Sequence, residues 1–305
     1  MLQRKWYDDG KSLKRGVAAA KKLARDGTKF VISHSSSDCA IPASDVYEDK
    51  GVIMMNPVAT SPRLTARGHR LIFRTTGTDV AQASVACDWI AEKIKPSAKI
   101  AILYTKTIYS EVLATAVKSG LKDRGVGVVL YEGIEIAIEK DHSPTIERLV
   151  QHGVDFVYYS GGDFGLFQVM RQVRAAGIKA RFMTSDTAAI SGIESYAGDA
   201  IDGLLLTSPG PFDGGEHNSA LAREMGDIAP AAFKAYAAVE VLAQEIAAAG
   251  DHENTSKIAQ AIRSGTFDTC IGSLSFQPNG DLTSSDFVVE EYYVRRVVRR
   301  CRAYR

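Results

Sequence analysis

The sequence predicts an α/β protein built on parallel sheets, and two observations carry that reading. Short apolar runs alternate with helical stretches from residue 30 to residue 209. Most of those runs are apolar throughout rather than at every second position, as strands covered on both faces are. Such alternation implies right-handed crossovers between neighbouring strands.

The elements follow in order. Residues 12–27, SLKRGVAAAKKLARDG, put Leu13, Val17, Ala20, Leu23 and Ala24 on one helical face and basic residues on the other, with Gly27 as the stop. KFVIS is the first strand, PASDVYEDKG a helix, and GVIMM and LIFRT two further strands. DVAQASVACDWIAEKI, SEVLATAVKSGLKDRG, TIERLVQHG and DFGLFQVMRQVRAAG are helices. They alternate with the strands AKIAILY, GVVLYEG, VDFVYYS and ARFMTS, and GLLLTSP closes the series. Near residue 209 the rhythm changes. PGPFDGG is a turn-rich bridge, followed by the helices APAAFKAYAAVEVLAQEIAAAG and TSKIAQAIRSG. Hairpin-like turn signals come after them, Asn279-Gly280 being the clearest. Two lobes are expected, one from residues 1–76 with 209–278 and the other from 77–208 with 279–305, with a ligand bound between them.

The totals exclude several functions. A net charge of +1 supplies no field for recruiting nucleic acid or an anionic membrane. The apolar runs are strand-sized, too short for a transmembrane helix, and MLQRKWYDDG has no apolar core of the signal-peptide kind. The four cysteines form no CxxC pair and the six histidines no metal-ligand spacing, so no metal site and no cofactor are expected. Cys39 and Cys87 read as small core residues.

In parallel α/β sheets ligands bind beyond the carboxyl ends of strands. The segments there are HSSSDC, NPVATSP, TKTIYSE, GGDFG and DTAAIS, rich in hydroxyls and glycine, with aspartates among them. Helix starts carry unpaired N–H groups that hold anions, and Ser36, Ser37 and Thr60 could add hydroxyl donors to a carboxylate. Asp186 could face a cation. Together these suit a zwitterion such as a free amino acid. The alternative is that the Ser, Thr and Asp residues only cap helices. Gly161, Gly162 and Gly165 occupy the place of a phosphate loop, but their spacing fits no nucleotide motif. Ser37, His34 and Asp38 lie too close in sequence for a hydrolytic triad, and no G-x-S-x-G elbow is present.

Long strings of the sequence carry a family resemblance. DGTKFVISHSSSDCAIPASDVYEDKGVIMMNPVATSPRLTARGHRLIFRTTGTD, EKDHSPTIERLVQHGVDFVYYSGG, YAGDAIDGLLLTSP and IGSLSFQPNGDL resemble, in order, the periplasmic leucine/isoleucine/valine-binding proteins of ABC importers. The resemblance covers residues 6–288. It implies a type I periplasmic-binding fold of two Rossmann-like lobes that close on an amino acid. It also implies no enzymatic activity, a membrane permease as partner, and a periplasmic location. It assigns Ser37, Ala59 (through its carbonyl) and Thr60, with Ser36 and Asp38 beside them, to the ligand's carboxylate and ammonium. Tyr109 would line the pocket, and Asp186 would bind the ammonium where close relatives have glutamate. Gly162 and Asp163 stand where branched-chain binders have an aromatic pocket wall, which enlarges or polarises the pocket.

Two departures shape further expectations. The family's first strand, ligand-contacting loop and helix precede the region matched here, so the first lobe is expected to miss a central strand whose neighbours lose a partner. Strand swapping in a dimer would supply it. The tail YYVRRVVRRCRAYR matches no family terminus. A degenerate copy that binds nothing and an intracellular sensor on the same fold are the rival readings.

Overall fold

A computed structural model describes residues 4–135, 141–161, 163–188, 198–210, 212, 220–221, 230–250, 252–284, 287–293 and 300–304. The chain separates into two compact units, residues 1–78 with 211–285 and residues 79–210 with 286–305.

The first unit begins with helix α1 (Leu13–Arg25), strand β1 (Phe30–Ile32), helix α2 (Ser37–Asp49) and strand β2 (Ile53–Asn56). Strand β3 (Ile72–Arg74) follows. The three strands form a parallel sheet in the order β1-β2-β3. Phe30 lies opposite Ile53 and Ile32 opposite Met55. The strands expected to flank a missing partner therefore pair with each other, and their facing backbone groups are satisfied. The apolar run Ile53–Met55 in β2 reflects burial on both faces. Met54 packs with Ala20, Val31, Ala40 and Tyr47 beneath α1 and α2. Ile53 and Met55 pack with Phe233, Ala237 and Val241 of α7 (Pro230–Ala249) and Ile258 of α8 (Thr255–Ser264). Each such side chain contributes about 1.5–3 kcal/mol on burial. On α1 the predicted stripe is buried at Ala20 and Leu23, whereas Leu13, in the first turn, is exposed. Among the described residues no helix is long and apolar enough to cross a membrane.

Helix α2 starts earlier than the sequence suggests. Pro42 reads as a first-turn residue, yet it sits inside a helix that begins at Ser37. The Ser36 hydroxyl caps it by accepting from the Asp38 N–H at 3.2 Å, and the Ser36 carbonyl accepts from Ala40 N–H at 2.8 Å. The run of small hydroxyl residues is thus a cap and a first turn rather than a loop.

The second unit holds α3 (Asp79–Lys93), β4 (Ile100–Thr105), α4 (Ile108–Asp123), β5 (Val128–Ile134) and α5 (Ser143–His152). It continues with β6 (Phe156–Ser160), α6 (Asp163–Ala175), β7 (Arg181–Thr184) and β8 (Leu205–Pro209). These strands pair in parallel in the order β8-β7-β6-β4-β5. Ala101, Leu103, Val157, Tyr159 and Phe182 fill one face of this sheet, and Ile100, Ile102, Phe156, Tyr158 and Met183 the other. A hairpin, β9 (Thr266–Thr269) with β10 (Gly272–Ser275), belongs to the first unit. Strand β11 (Phe287–Tyr293) extends the second sheet antiparallel to β8, and β12 (Arg300–Tyr304) pairs antiparallel with β11 at its edge. Part of the arginine-rich tail is therefore a sheet strand, with Cys301 opposite Tyr292.

Residues 279–285 stay with the first unit, whereas the sequence reading assigns residues 279–305 to the second lobe. The cause is Arg74, a guanidinium with no solvent exposure at the end of β3. Its Nε lies 2.6 Å from Asp281 Oδ1. Its other nitrogens donate to the Ala59 carbonyl at 3.0 Å, the Ser61 carbonyl at 3.0 Å and Thr65 Oγ1 at 2.8 Å. Thr65 in turn donates to Asp281 Oδ1 at 2.7 Å. Gly280 accepts from the Arg74 N–H at 3.0 Å and has φ +91°. A Cβ there would stand 2.0 Å from the Ile72 carbonyl oxygen, so only glycine fits.

Two outcomes follow from this packing. Arg74→Met is expected to lower stability by on the order of 3–5 kcal/mol, because it strands buried acceptors and a carboxylate. A urea midpoint equal to that of the wild type would refute the assignment. Gly280→Ala should lower the midpoint through strain alone, with near-ultraviolet circular dichroism showing whether packing around Phe73 is disturbed.

Candidate functional site

In the first unit four of the candidate residues come together at the carboxyl ends of β1 and β2. Ser36 and Ser37 open α2, and Ala59 and Thr60 follow β2. The Ser61 N–H donates to Ser37 Oγ at 3.4 Å and joins the two segments. Ser37, Ala59 and Thr60 are all buried. Asn56 shapes the turn between β2 and Ala59. Its side-chain oxygen accepts from the Val58 and Ala59 N–H groups at 3.0 and 2.6 Å, and its amide donates to the Ser33 and His34 carbonyls at 2.7 and 3.1 Å. The Ala59 carbonyl, expected to face a ligand, accepts from Arg74. That uses one of its two lone pairs.

A cation lies at the same edge of the sheet. Lys234 of α7 is buried, and its Nζ donates to Thr76 Oγ1 at 2.7 Å, two residues past the end of β3. The Thr75 hydroxyl donates to the Lys234 carbonyl at 2.8 Å. The carboxyl-end edge of this sheet therefore gathers hydroxyls, a helix N-terminus and an ammonium, a donor-rich environment suited to an anion.

His34 takes no part in a triad with Ser37 and Asp38. Its Nδ1 lies 2.6 Å from Asp9 Oδ2, and its Nε2 lies 3.3 Å from the Tyr47 hydroxyl. Burial pushes the Tyr47 hydroxyl up to about 12. Cys39 is fully buried, and burial, together with the nearby Asp9 and Asp38 charges, raises its thiol to about 11. It is a packing residue, not a nucleophile. Among the described residues no group of three or more His, Cys, Asp or Glu side chains is arranged to hold a metal.

The second unit presents the opposite charge. Asp186 opens a short 3-10 turn, Asp186–Ala188, just past the end of β7. Its neighbours fix the turn on both sides. The Thr187 hydroxyl donates to the Gly161 carbonyl at 2.6 Å, so Ser185 Oγ, 2.9 Å away, donates to Thr187 Oγ1. Tyr109, in the first turn of α4, donates to Asp186 Oδ1 at 3.2 Å. Thr107 caps that helix by accepting from the Ser110 N–H at 3.2 Å. Burial raises the Tyr109 phenol well above its ordinary range, and the Asp186 and Asp79 charges add to the effect. Tyr109 is therefore a permanent donor. The Tyr158 phenol is raised likewise, by burial first, with the Cys87 thiol and the Asp186 and Asp79 carboxylates adding to it. Of the remaining candidates, Gly162 lies outside the described residues, and Asp163 is described only as the first residue of α6. Gly165 lies inside α6 rather than in a loop.

Sequence reasoning missed several residues that build these sites. Arg74 was visible as a lone charge in the apolar run LIFRT, since a strand covered on both faces that contains arginine must supply it with partners. Asn56 had the turn-forming signal Asn-Pro. Lys234 interrupts an apolar helix, a weaker version of the Arg74 signal. Gln82 of α3, whose Nε2 donates to Asp186 Oδ1, carries no local signal at all, because a glutamine in a helix reads as a solvated side chain.

Comparison with known proteins agrees with this geometry. The chain matches the family described as periplasmic binding protein over residues 2–300. It is 41% identical over 292 residues to the leucine-, isoleucine-, valine-, threonine- and alanine-binding protein of Pseudomonas aeruginosa, covering 94% of this chain and 78% of that one. Against the Leu/Ile/Val-binding protein of Escherichia coli K12 the identity is 39%, with the same coverage. Among solved structures, the leucine-binding protein LivK of Thermotoga maritima superposes with a TM-score of 0.82 at 19% identity, over 97% of this chain and 85% of that one. A periplasmic binding protein type 1 from Bordetella pertussis gives 0.87 at 18% identity, over 97% and 87%. The donor-rich edge and the carboxylate thus sit on a type I binding fold, and the chain belongs to the periplasmic binding protein family.

Proposed function

We propose that this chain is the receptor of an ABC importer for a free amino acid of the leucine, isoleucine and valine class or a near relative. It would capture the ligand in the periplasm and present it to a membrane permease, with no chemical step. The observation that carries the reading is the separation of charge. One unit gathers hydroxyls, helix N–H groups and an ammonium, and the other holds a carboxylate steadied by a permanent phenolic donor. A free amino acid has one group for each. In this reading Ser36, Ser37 and Thr60 take the carboxylate, and Asp186, with Tyr109, takes the ammonium. Ala59 offers its remaining lone pair, and Gly162 and Asp163 line the side-chain end of the ligand.

The names of the relatives support the class. The Pseudomonas protein is named for three branched aliphatic amino acids together with threonine and alanine, and the Escherichia coli protein for leucine, isoleucine and valine. A glycine and an aspartate in the sequence where the family resemblance implies an aromatic residue favour the broader of these two selections.

A thermal melt of the purified chain with each common amino acid at millimolar concentration tests the proposal. A ligand at a hundred times its Kd adds about 2.7 kcal/mol to the folded state, so the true ligand raises the midpoint. No shift with any amino acid would mark the chain as a copy that no longer binds. With the ligand in hand, Asp186→Ala should weaken binding by on the order of 2–5 kcal/mol, or thirtyfold and upward in Kd by calorimetry. Thr60→Val should cost about 0.5–1.5 kcal/mol with an unchanged ligand-free melt. Unaltered affinity in either variant would remove that residue from the site.

A further inference from the structure

We infer that Gln82 is a positioning residue for ligand selection, holding one oxygen of Asp186 so that the other is presented to the ligand's ammonium; the inference rests on the reading of Asp186 as the ammonium site. Gln82 lies on α3 with no solvent exposure. Its Nε2 donates to Asp186 Oδ1 at 3.0 Å and to Thr207 Oγ1 at 2.9 Å. The orientation of the amide follows from its partners. A carboxylate only accepts, so the nitrogen must face Asp186. The Thr207 hydroxyl spends its proton on the Thr184 carbonyl at 3.4 Å, which leaves its oxygen to accept from the same nitrogen. Both amide hydrogens are then committed.

Tyr109 reaches the same atom of Asp186, Oδ1, at 3.2 Å. The two donors therefore converge on one carboxylate oxygen, and Oδ2 accepts no hydrogen bond among the described residues. A carboxylate held by a single oxygen from two directions is fixed in its rotamer, with its second oxygen ready for a cation. A freely rotating aspartate would have to be ordered at each binding event. The amide oxygen of Gln82 is buried without a hydrogen-bond partner among the described residues. A buried acceptor left unmet works against folding, so an apolar side chain of similar size would serve the core at least as well. A glutamine at this position is explained by what its nitrogen does for Asp186.

A double-mutant cycle by calorimetry tests this, with L-leucine, L-valine and L-threonine as probes. Gln82→Leu should raise Kd about five- to tenfold in the wild-type background. In the Asp186→Asn background the same change should alter Kd less than twofold, because no charge remains to be positioned. If Asp186→Asn binds too weakly to titrate, Asp186→Glu takes its place, keeping the charge while moving the oxygen that Gln82 holds. The ligand-free melting midpoint of Gln82→Leu should equal or exceed that of the wild type. An equal loss in both backgrounds, or no loss at all, would overturn the positioning role while leaving the Asp186 reading intact. A lowered ligand-free midpoint in both Gln82→Leu and Gln82→Met would also overturn it, by showing a structural role. Full affinity in Asp186→Asn, or no binding of any probe by the wild type, would overturn the ammonium-site reading and this inference with it.

Discussion

The first unit is organised around one buried cation. A guanidinium with no access to water is tolerable only when its donors all meet acceptors, and Arg74 meets them by drawing the chain around itself. The carbonyls of Ala59 and Ser61 are two of those acceptors, so Thr60, lying between them, has little freedom in where it points. Thr65 and Asp281 complete the shell and tie the turn after β2 to a segment from the far end of the sequence. The geometry offered to an anion at this edge is thus set by a charge that faces the interior.

The second unit handles charge in the opposite way. Its candidate carboxylate, Asp186, stands at the margin of the sheet, partly exposed, and among the described residues it is approached by neutral donors. Hydrogen bonds from a phenol and an amide steady the charge without neutralising it, which leaves its electrostatic attraction available to a cation. An arginine in place of either donor would have paired that charge instead.

Much of this was legible from sequence, and the exceptions share a cause. The β-α alternation, the two units and the strand-end segments follow from apolar runs of strand length, because covering a sheet on both faces forces that pattern. Ser37, Thr60 and Asp186 became candidates by looking only past strand ends, and that is where the structure positions them. The start of α2 was misjudged because Pro42 looks like a helix opening, whereas the Ser36 cap six residues earlier decides it. Gln82 and Asp281 were not legible. Each owes its role to a partner more than a hundred residues away, and nothing near it in the chain announces that partner. Local chemistry can be read from a sequence; a hydrogen bond closed by topology cannot.

The reach of the Arg74 shell also bears on the order in which the protein acquires its structure. Thr65 and Asp281 are 216 positions apart, and the whole second unit is strung between them apart from its two last strands. During synthesis, Arg74 emerges long before the carboxylate that neutralises it. The segment from 79 to 210 carries all of the second unit except its last two strands, and it is made before residue 281. The early strands must meanwhile keep a charged side chain in water, because the Arg74 shell cannot close before residue 281 is made. A chain interrupted before that point would carry β3 with its edge open and its apolar faces uncovered, the kind of species that chaperones retain and proteases clear.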